Sequence, residues 1–311
     1  MDCHVVSLLA MTYKLAFFPL TKVCRESWIE SPAFLTAFLF LVRSGVITPQ
    51  AYLKLLAQGI TRVQQQAGRL KQTLAESSFS AWNKFYKQDE NSPNAIVSYY
   101  QKGALAALCL DLLIRSRSGS AFTLDSVMRQ HYLDWLATGK GIPEQQWQTR
   151  CQAATGLDLQ DFFQTALYST DDLPLAECLE SAGVSLTWHA LPRSHGGGVV
   201  DEIPETKPAT DLGARFKQQA DHAVLSHVFS GSSAENAALS PQDKIIAFNG
   251  YACTDLAAQW AKLSAGESAE LHFFRSGVLH QTRIAAQTIE ANTALLKIDN
   301  PELLAQWLLK G

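Results

Sequence analysis

The spacing of apolar residues changes once along this chain, near Gly183, and this change constrains the fold more than any other feature. Before it, apolar residues recur at helical spacing, as in the run from Tyr52 to Val63. After it, short alternating runs bounded by turn residues indicate strands, and residues 184–188 form the first of them. The sequence therefore predicts an α+β protein, with an all-helical first part and a β-rich second part.

Local signals in the first part predict where several helices begin and end. Thr48 is typical of an N-cap, and Pro49 suits the first helical position. The helix that follows Pro93 is apolar on most of its faces, which predicts a central position, and Gly119 can end it. Further helices are predicted after Thr123, near residues 144–154, after Asp158 and after Pro174.

Turn residues divide the second part into short elements. Three consecutive glycines and three prolines within residues 192–210 predict a linker or flexible loop. Ser276 and Gly277 predict the turn of a hairpin. Strands are expected at residues 224–228 and 244–248, a helix capped by Thr254, and a terminal helix that begins at Asn300 and Pro301.

Composition narrows the partners and the compartment. The net charge is −3 and no dense run of lysine and arginine occurs, so nucleic acid and anionic membranes are not expected as partners. The six cysteines are scattered without a CxxC pair, which favours reduced thiols and a cytoplasmic location. Lys14 interrupts the first apolar run, and the second, residues 32–42, is too short to cross a bilayer, so we expect no membrane span.

Several short motifs follow one another along the helical part. They lie at residues 41–45, 68–70, 75–79 with Trp82, 88–94 and 98–104. Together they resemble the C-terminal helical part of the catalytic domain in the glycyl aminopeptidase family, which belongs to the gluzincin zinc metallopeptidases. The resemblance implies a protein related to enzymes that remove N-terminal residues, preferably glycine, from peptides with zinc as cofactor.

A second set of motifs lies in the β-rich part. The sequence Leu212, Gly213, Ala214 and Arg215, with residues 231–234 and 239–250, is similar to a bacterial-type PDZ domain. A PDZ domain after the peptidase domain is the arrangement of the same family. The resemblance implies that the amides of residues 212–214 bind the carboxylate of a peptide or protein C-terminus and that Arg215 begins the receiving strand.

The zinc-binding motif of that family is missing from this sequence. A gluzincin holds zinc through the two histidines of HExxH on one helix face and a later glutamate, and the Glu of HExxH is the general base. The chain contains no HExxH, and neither His4 nor His131 has a partner at helical spacing. His272 and His280 could meet across the hairpin, but two histidines alone are a poor zinc site. We therefore expect no bound zinc.

Two residues match functional positions of the family. Glu30 stands where the family has its zinc glutamate, although Pro32 would disturb a helix there, and the alternative is an exposed glutamate in an altered segment. Tyr100 lies in a Tyr-x-Lys-Gly-Ala motif, where gluzincins place the tyrosine that donates to the oxyanion. The alternative is a packed helix residue whose hydroxyl is satisfied by a neighbour.

These readings divide the chain into five segments. They are an unmatched segment at 1–39, the helical aminopeptidase part at 40–182, a strand and linker at 183–210, the PDZ domain at 211–288, and a C-terminal tail with a helix at 289–311. Residues 1–39 resemble no known family, and an out-of-frame or degenerate origin would explain this. The leading interpretation is an N-terminally truncated metallopeptidase that is inactive by itself. The alternatives are a PDZ peptide-binding module, or a chain that works with a separately encoded metal-binding half.

Overall fold

The computed structural model describes residues 39–140, 146–202 and 209–309. Within these ranges, apolar side chains pack into two hydrophobic cores. The first core joins the helices to a three-stranded sheet, and the second is built on a six-stranded sheet. This mixture of helices and sheets confirms the α+β class.

Helices make up most of the first core, and residues 39–43 are also helical. The helices that follow are α1 (Pro49–Gln64), α2 (Leu74–Phe79), α3 (Ser92–Ala95), α4 (Tyr99–Ser118), α5 (Leu124–Thr138), α6 (Trp147–Thr155), α7 (Gln160–Tyr168) and α8 (Leu175–Ser181). Thr48 caps α1 by accepting a hydrogen bond from the Ala51 amide, and Gly119 ends α4 in the left-handed conformation, both as predicted. Most residues of α4 are buried, as its apolar faces indicate.

Short strands dominate the rest of the chain. They are, with their intervening helices, β1 (Val184–His189), β2 (Gly198–Val199), β3 (Ala214–Gln218), β4 (Ala223–Val228), α9 (Ser233–Asn236), β5 (Lys244–Phe248), β6 (Tyr251–Ala252), α10 (Leu256–Trp260), β7 (Ser268–Arg275), β8 (Val278–Ala285), β9 (Thr293–Ile298) and α11 (Pro301–Leu309). Among the helices within the described ranges, none is long and apolar enough to cross a membrane.

The six-stranded sheet has the order β3-β4-β5-β7-β8, with β6 paired to β5. The hairpin of β7 and β8 forms as predicted, but its register corrects one expectation. His272 lies opposite Gln281, whereas His280 lies opposite Phe273. Because side chains alternate between the two faces of a strand, the two histidines point to opposite faces and cannot share a ligand. The cap of α10 also differs from the prediction, since Asp255, not Thr254, accepts the hydrogen bond from the Ala258 amide.

The last segment of the chain returns to the first core, which the sequence did not indicate. β9 lies between β1, to which it pairs antiparallel, and β2, to which it pairs parallel. The glycine segment expected to be a linker therefore contains a paired strand. The Asn300 amide donates to the Gly183 carbonyl at 3.0 Å, and Trp307 of α11 packs edge-on against Tyr52 of α1. The expected tail is thus an integral part of the first core.

One buried side chain joins the two cores. Asn94 of α3 donates from Nδ2 to the Val228 carbonyl at 2.8 Å and accepts at Oδ1 from the Ser230 amide at 2.9 Å. Both backbone groups lie at the end of β4. We call this arrangement the Asn94 clasp. It satisfies two backbone groups of the second core with one side chain of the first, so it fixes how the two cores meet.

We predict that Gly183→Ala destabilises the protein more than Gly156→Ala. Both glycines have positive φ, so alanine costs about 1–2 kcal/mol at either position. At Gly183 the added Cβ would also lie 2.5 Å from the Asn300 carbonyl oxygen, whereas at Gly156 it meets nothing within 4 Å. This overlap adds roughly 1–3 kcal/mol. Urea unfolding of the two variants measures the difference, and equal losses would show that the C-terminal return does not need the contact.

We predict that Asn94→Ala loosens the junction between the cores. The change leaves the Val228 carbonyl and the Ser230 amide without their partner, at a cost of roughly 1–3 kcal/mol for each group that stays dry. Amide hydrogen exchange should become faster at Ser230, and the free energy of unfolding should fall. The control is Asn83→Ala, at an exposed residue, where we expect a change within about 0.5 kcal/mol. Unchanged exchange at Ser230 would contradict the clasp.

Candidate functional site

Tyr100 lies in a cluster of three tyrosines at the start of α4. Its hydroxyl is 2.7 Å from that of Tyr86, which is also 3.1 Å from that of Tyr99. The rings of Tyr99 and Tyr100 are 4.2 Å apart. Burial, and then hydrogen bonds with the other two phenols, raise the pKa of Tyr99, so this phenol stays protonated at neutral pH. Tyr100 therefore has a hydrogen-bonded hydroxyl, and its predicted role as an oxyanion donor stays a prediction.

Large aromatic side chains beside the tyrosine cluster are exposed. Trp82 is 76% exposed and stacks on Tyr86, whose own side chain is 50% exposed. Phe79 is 65% exposed. A monomeric protein seldom leaves several large aromatic groups at one place on its surface. These side chains form an exposed aromatic surface near Tyr100.

Lys102, in the same motif as Tyr100, has a structural role. Its side chain is buried, and Nζ donates to the Asp171 carbonyl at 3.4 Å. Burial lowers its pKa, against the opposing effect of Asp172. Lys102 thereby holds the loop after α7 on the first core. It is two residues from Tyr100 on the helix and so projects from another face.

The acidic loop before α3 is a capped turn. Asp89 Oδ1 accepts hydrogen bonds from Ser92 Oγ at 2.9 Å and from the Asn91 amide at 3.0 Å. The bond from Ser92, followed by that from Asn91, lowers the pKa of the Asp89 carboxyl. Asp89 Oδ1 thus stabilises the turn, and the loop leads directly into the Asn94 clasp.

The described residues do not fit a zinc site. Among residues 39–140, 146–202 and 209–309, no three His, Cys, Asp or Glu side chains converge as metal ligands. Glu30 lies outside the described residues. His131 is buried beside Trp147, and burial lowers its pKa to about 4, with the charge of Arg150 acting in the same direction. An imidazole in this packing is a core residue, not a ligand.

The loop predicted to receive a peptide carboxylate lies at the start of β3. Leu212 is buried, and its carbonyl accepts from the Ala234 amide at 2.9 Å. The Gly213 carbonyl accepts from the Phe229 amide at 2.9 Å. Gly213 has φ of +75°, and a Cβ at this position would overlap Ser232. Only glycine suits this close approach, so the loop is held in one shape before β3 begins with Ala214.

β3 is an edge strand of the described sheet. It pairs with β4 on one side, and Arg215 and Lys217 are exposed along it. Its far end is tied to α10, since Gln218 Oε1 accepts from the Leu256 amide at 3.0 Å and Nε2 donates to the Cys253 carbonyl at 2.9 Å. A strand edge beside a fixed helix offers backbone groups to an added peptide strand.

A side chain that the sequence analysis did not single out supports the loop. Arg193, from the segment after β1, forms an ion pair with Asp211 at 2.9 Å. Its guanidinium lies 4.0 Å from the ring centroid of Phe229. Both partners are distant in sequence, and Arg193 lies in the segment expected to be a linker. No local signal in the sequence points to this contact.

Comparison with known proteins relates the first core to a peptidase family. Residues 33–106 match the M61 glycyl aminopeptidase family. The matched segment includes the tyrosine cluster, the acidic loop and Asn94. No curated protein matches the chain.

Two solved structures are similar to this chain, one over nearly its whole length and one over about a quarter of it. An aminopeptidase N family protein from Idiomarina loihiensis is 30% identical, with a TM-score of 0.84, over 99% of this chain and 56% of its own. The HtrA-type protease AlgW with decapeptide is 17% identical, with a TM-score of 0.25, over 26% of this chain and 30% of its own. This second similarity is too low to carry an argument.

The chain therefore spans little more than half the length of the aminopeptidase N family protein and shares its fold over nearly all of its own length. Together with the match of residues 33–106, this similarity supports a peptidase-related function.

Proposed function

We propose that this chain is the helical and PDZ-like part of a glycyl aminopeptidase-type protein and does not hydrolyse peptides by itself. The observation that carries the proposal is a contrast within one chain. Residues 33–106 match the peptidase family, yet the sequence contains no HExxH. The chain thus retains a segment of the peptidase family but lacks the motif whose residues would hold zinc and activate water.

Chemistry explains why the remaining residues are not sufficient. Peptide hydrolysis by a gluzincin needs a metal-bound water, a general base to deprotonate it and a donor to the oxyanion. Tyr100 can serve only the third need. Its hydroxyl lies within hydrogen-bond distance of Tyr86, so even this group is engaged. Without an activated nucleophile no oxyanion forms, so a donor alone has no charge to stabilise.

A second candidate function is peptide binding by the PDZ-like part, in the cytoplasm. The support for it is the fixed loop around Gly213 followed by the exposed edge of β3. A peptide added to this edge would gain main-chain hydrogen bonds from β3, and its C-terminus would lie near residues 212–214. This function needs no metal and is compatible with a silent peptidase part.

We expect the purified chain to contain no stoichiometric zinc and to show no aminopeptidase activity towards glycyl-p-nitroanilide. Metal analysis of the purified protein and an assay with added zinc measure both quantities. Tyr100→Phe should leave this zero rate unchanged. Hydrolysis that a chelator abolishes and zinc restores, in protein free of contaminating peptidase, would overturn the proposal.

We expect Gly213→Ala to weaken binding of C-terminal peptides by about ten-fold or more, because the new methyl group displaces the loop from Ser232. The ligand is a pool of random octapeptides with free C-termini, and bound peptides are recovered and titrated by fluorescence anisotropy. Gly231→Ala is the matched control, since Gly231 has the same φ of +75° and open space around it. Equal affinity of the two variants would contradict a role for the loop.

A further inference from the structure

Two of the four cysteines that the structure describes lie side by side in the first core, and all four have free thiols. Cys109 belongs to α4 and Cys178 to α8. Cys178 Sγ donates a hydrogen bond to the Cys109 carbonyl at 3.8 Å, although the two residues are 69 positions apart along the chain. The helices α4 and α8 are thus in contact at a pair of thiols.

The two thiols also interact with each other. When Cys178 loses its proton, the Cys109 thiol can donate a hydrogen bond to the resulting thiolate. This bond is the main cause that lowers the pKa of Cys178, against the opposing effects of burial and of Glu177. The same bond raises the pKa of Cys109 well above its usual value, and burial raises it further. Cys178 is therefore the first of the two to ionise.

Exposure assigns the same order of reaction. Cys178 is 7% exposed, whereas Cys109 is 0% exposed. The thiolate is the nucleophilic form of cysteine, so an oxidant that arrives from solvent reacts first with Cys178. Cys109 is then the neighbouring thiol that can resolve the oxidised product into a disulfide.

The other two described cysteines have a different environment. Cys151 is buried in α6, and burial raises its pKa to about 12. Cys253 is buried in the second core, where burial is also the main cause that raises its pKa. Among the described residues, no hydrogen bond to another thiol shifts the pKa of either one. Both should therefore react slowly with oxidants.

We propose that Cys109 and Cys178 form a reversible disulfide when the protein meets hydrogen peroxide. Their contact meets the first requirement of a disulfide, which forms only between cysteines that lie side by side. The inference goes beyond the proposed function, because it needs neither zinc nor a peptide ligand.

The reaction has two steps. In the first, the Cys178 thiolate attacks one oxygen of the peroxide, the O–O bond breaks, and a sulfenic acid forms as hydroxide leaves. The hydroxide takes up the proton that Cys178 had released. In the second step, the Cys109 sulfur attacks the Cys178 sulfur, the S–O bond breaks, and the hydroxyl leaves as water with the proton of Cys109. The two thiols thus lose two electrons, and one peroxide becomes two waters.

The bridge would act on the closure of the first core. Helix α8 is followed directly by Gly183 and β1, the strand that pairs with β9. A disulfide between α4 and α8 closes a long loop and so restricts the unfolded chain. Oxidation therefore holds α8 and the beginning of β1 more firmly in place.

The test uses the full chain, purified in the reduced form. The protein is treated with hydrogen peroxide, and the remaining thiols are blocked with N-ethylmaleimide. Non-reducing digestion uses trypsin and Glu-C, which cuts at Glu177 between Cys151 and Cys178, and the peptides are identified by mass spectrometry. We expect a linked pair of peptides that contain Cys109 and Cys178, and dithiothreitol should separate them. Most of Cys151 should remain a thiol.

Two variants separate the roles of the two sulfurs. Cys178→Ser keeps a donor to the Cys109 carbonyl but removes the reactive sulfur, so oxidation of Cys109 should slow by about ten-fold or more. Cys109→Ala removes the resolving thiol, so the sulfenic acid of Cys178 should accumulate and react with dimedone. Cys151→Ala is the matched control at another buried cysteine, and it should form as much bridge as the unchanged protein.

The proposal fails if Cys178 stays reduced while the protein is folded, if it bridges to a different cysteine, or if Cys151 is oxidised as fast. It also fails if Cys178 is carried to the sulfinic acid while Cys109 remains a thiol. If a variant does not fold, the peptide map of the unchanged protein decides alone.

Urea unfolding tests the effect of the bridge on the first core. The midpoint of the bridged protein should be higher than that of the reduced protein by roughly 0.5–1 M, and dithiothreitol should reverse the shift. An unchanged or lower midpoint would show that the bridge does not hold α8 in place.

Discussion

The pairing of β9 between β1 and β2 is the interaction on which the rest of the structure depends. Six residue pairs join β9 to β1, from Val184 with Ile298 to His189 with Thr293. β2 pairs with the other edge of β9. The second core is therefore inserted, along the chain, between two strands that are neighbours in the first sheet. Together with the Asn94 clasp, this pairing fixes where the second core meets the first.

Much of the local structure could be predicted, because its causes are local. Thr48 and Gly119 are a helix cap and a helix end within a few residues of the groups they satisfy. The partners of Asn94 are more than 130 residues away along the chain, and no periodicity indicates them. His272 and His280 do not meet, because the register of the β7–β8 hairpin differs by one residue from the one that would pair them. A shift of one residue reverses the face on which each side chain lies.

In the candidate site, too, local motifs could be predicted and contacts between distant residues could not. The motif around Tyr100 could be located by its resemblance to the family, but in this chain several residues in and near it make structural contacts. Lys102 supports a loop, Asp89 closes a turn, and Tyr100 is hydrogen-bonded to Tyr86. The role of Arg193 could not be predicted from the sequence, since this residue lies in a segment that resembles a linker.

The insertion of the second core between β2 and β9 also decides what a single break in the backbone can do. A nick between β2 and β3 removes one covalent connection, but the segment that leads from β8 into β9 still runs back into the first sheet. The hydrogen bonds of β9 and the packing of α11 would keep the two fragments in one particle. Fragments that remain associated after cleavage can still refold as a complementing pair.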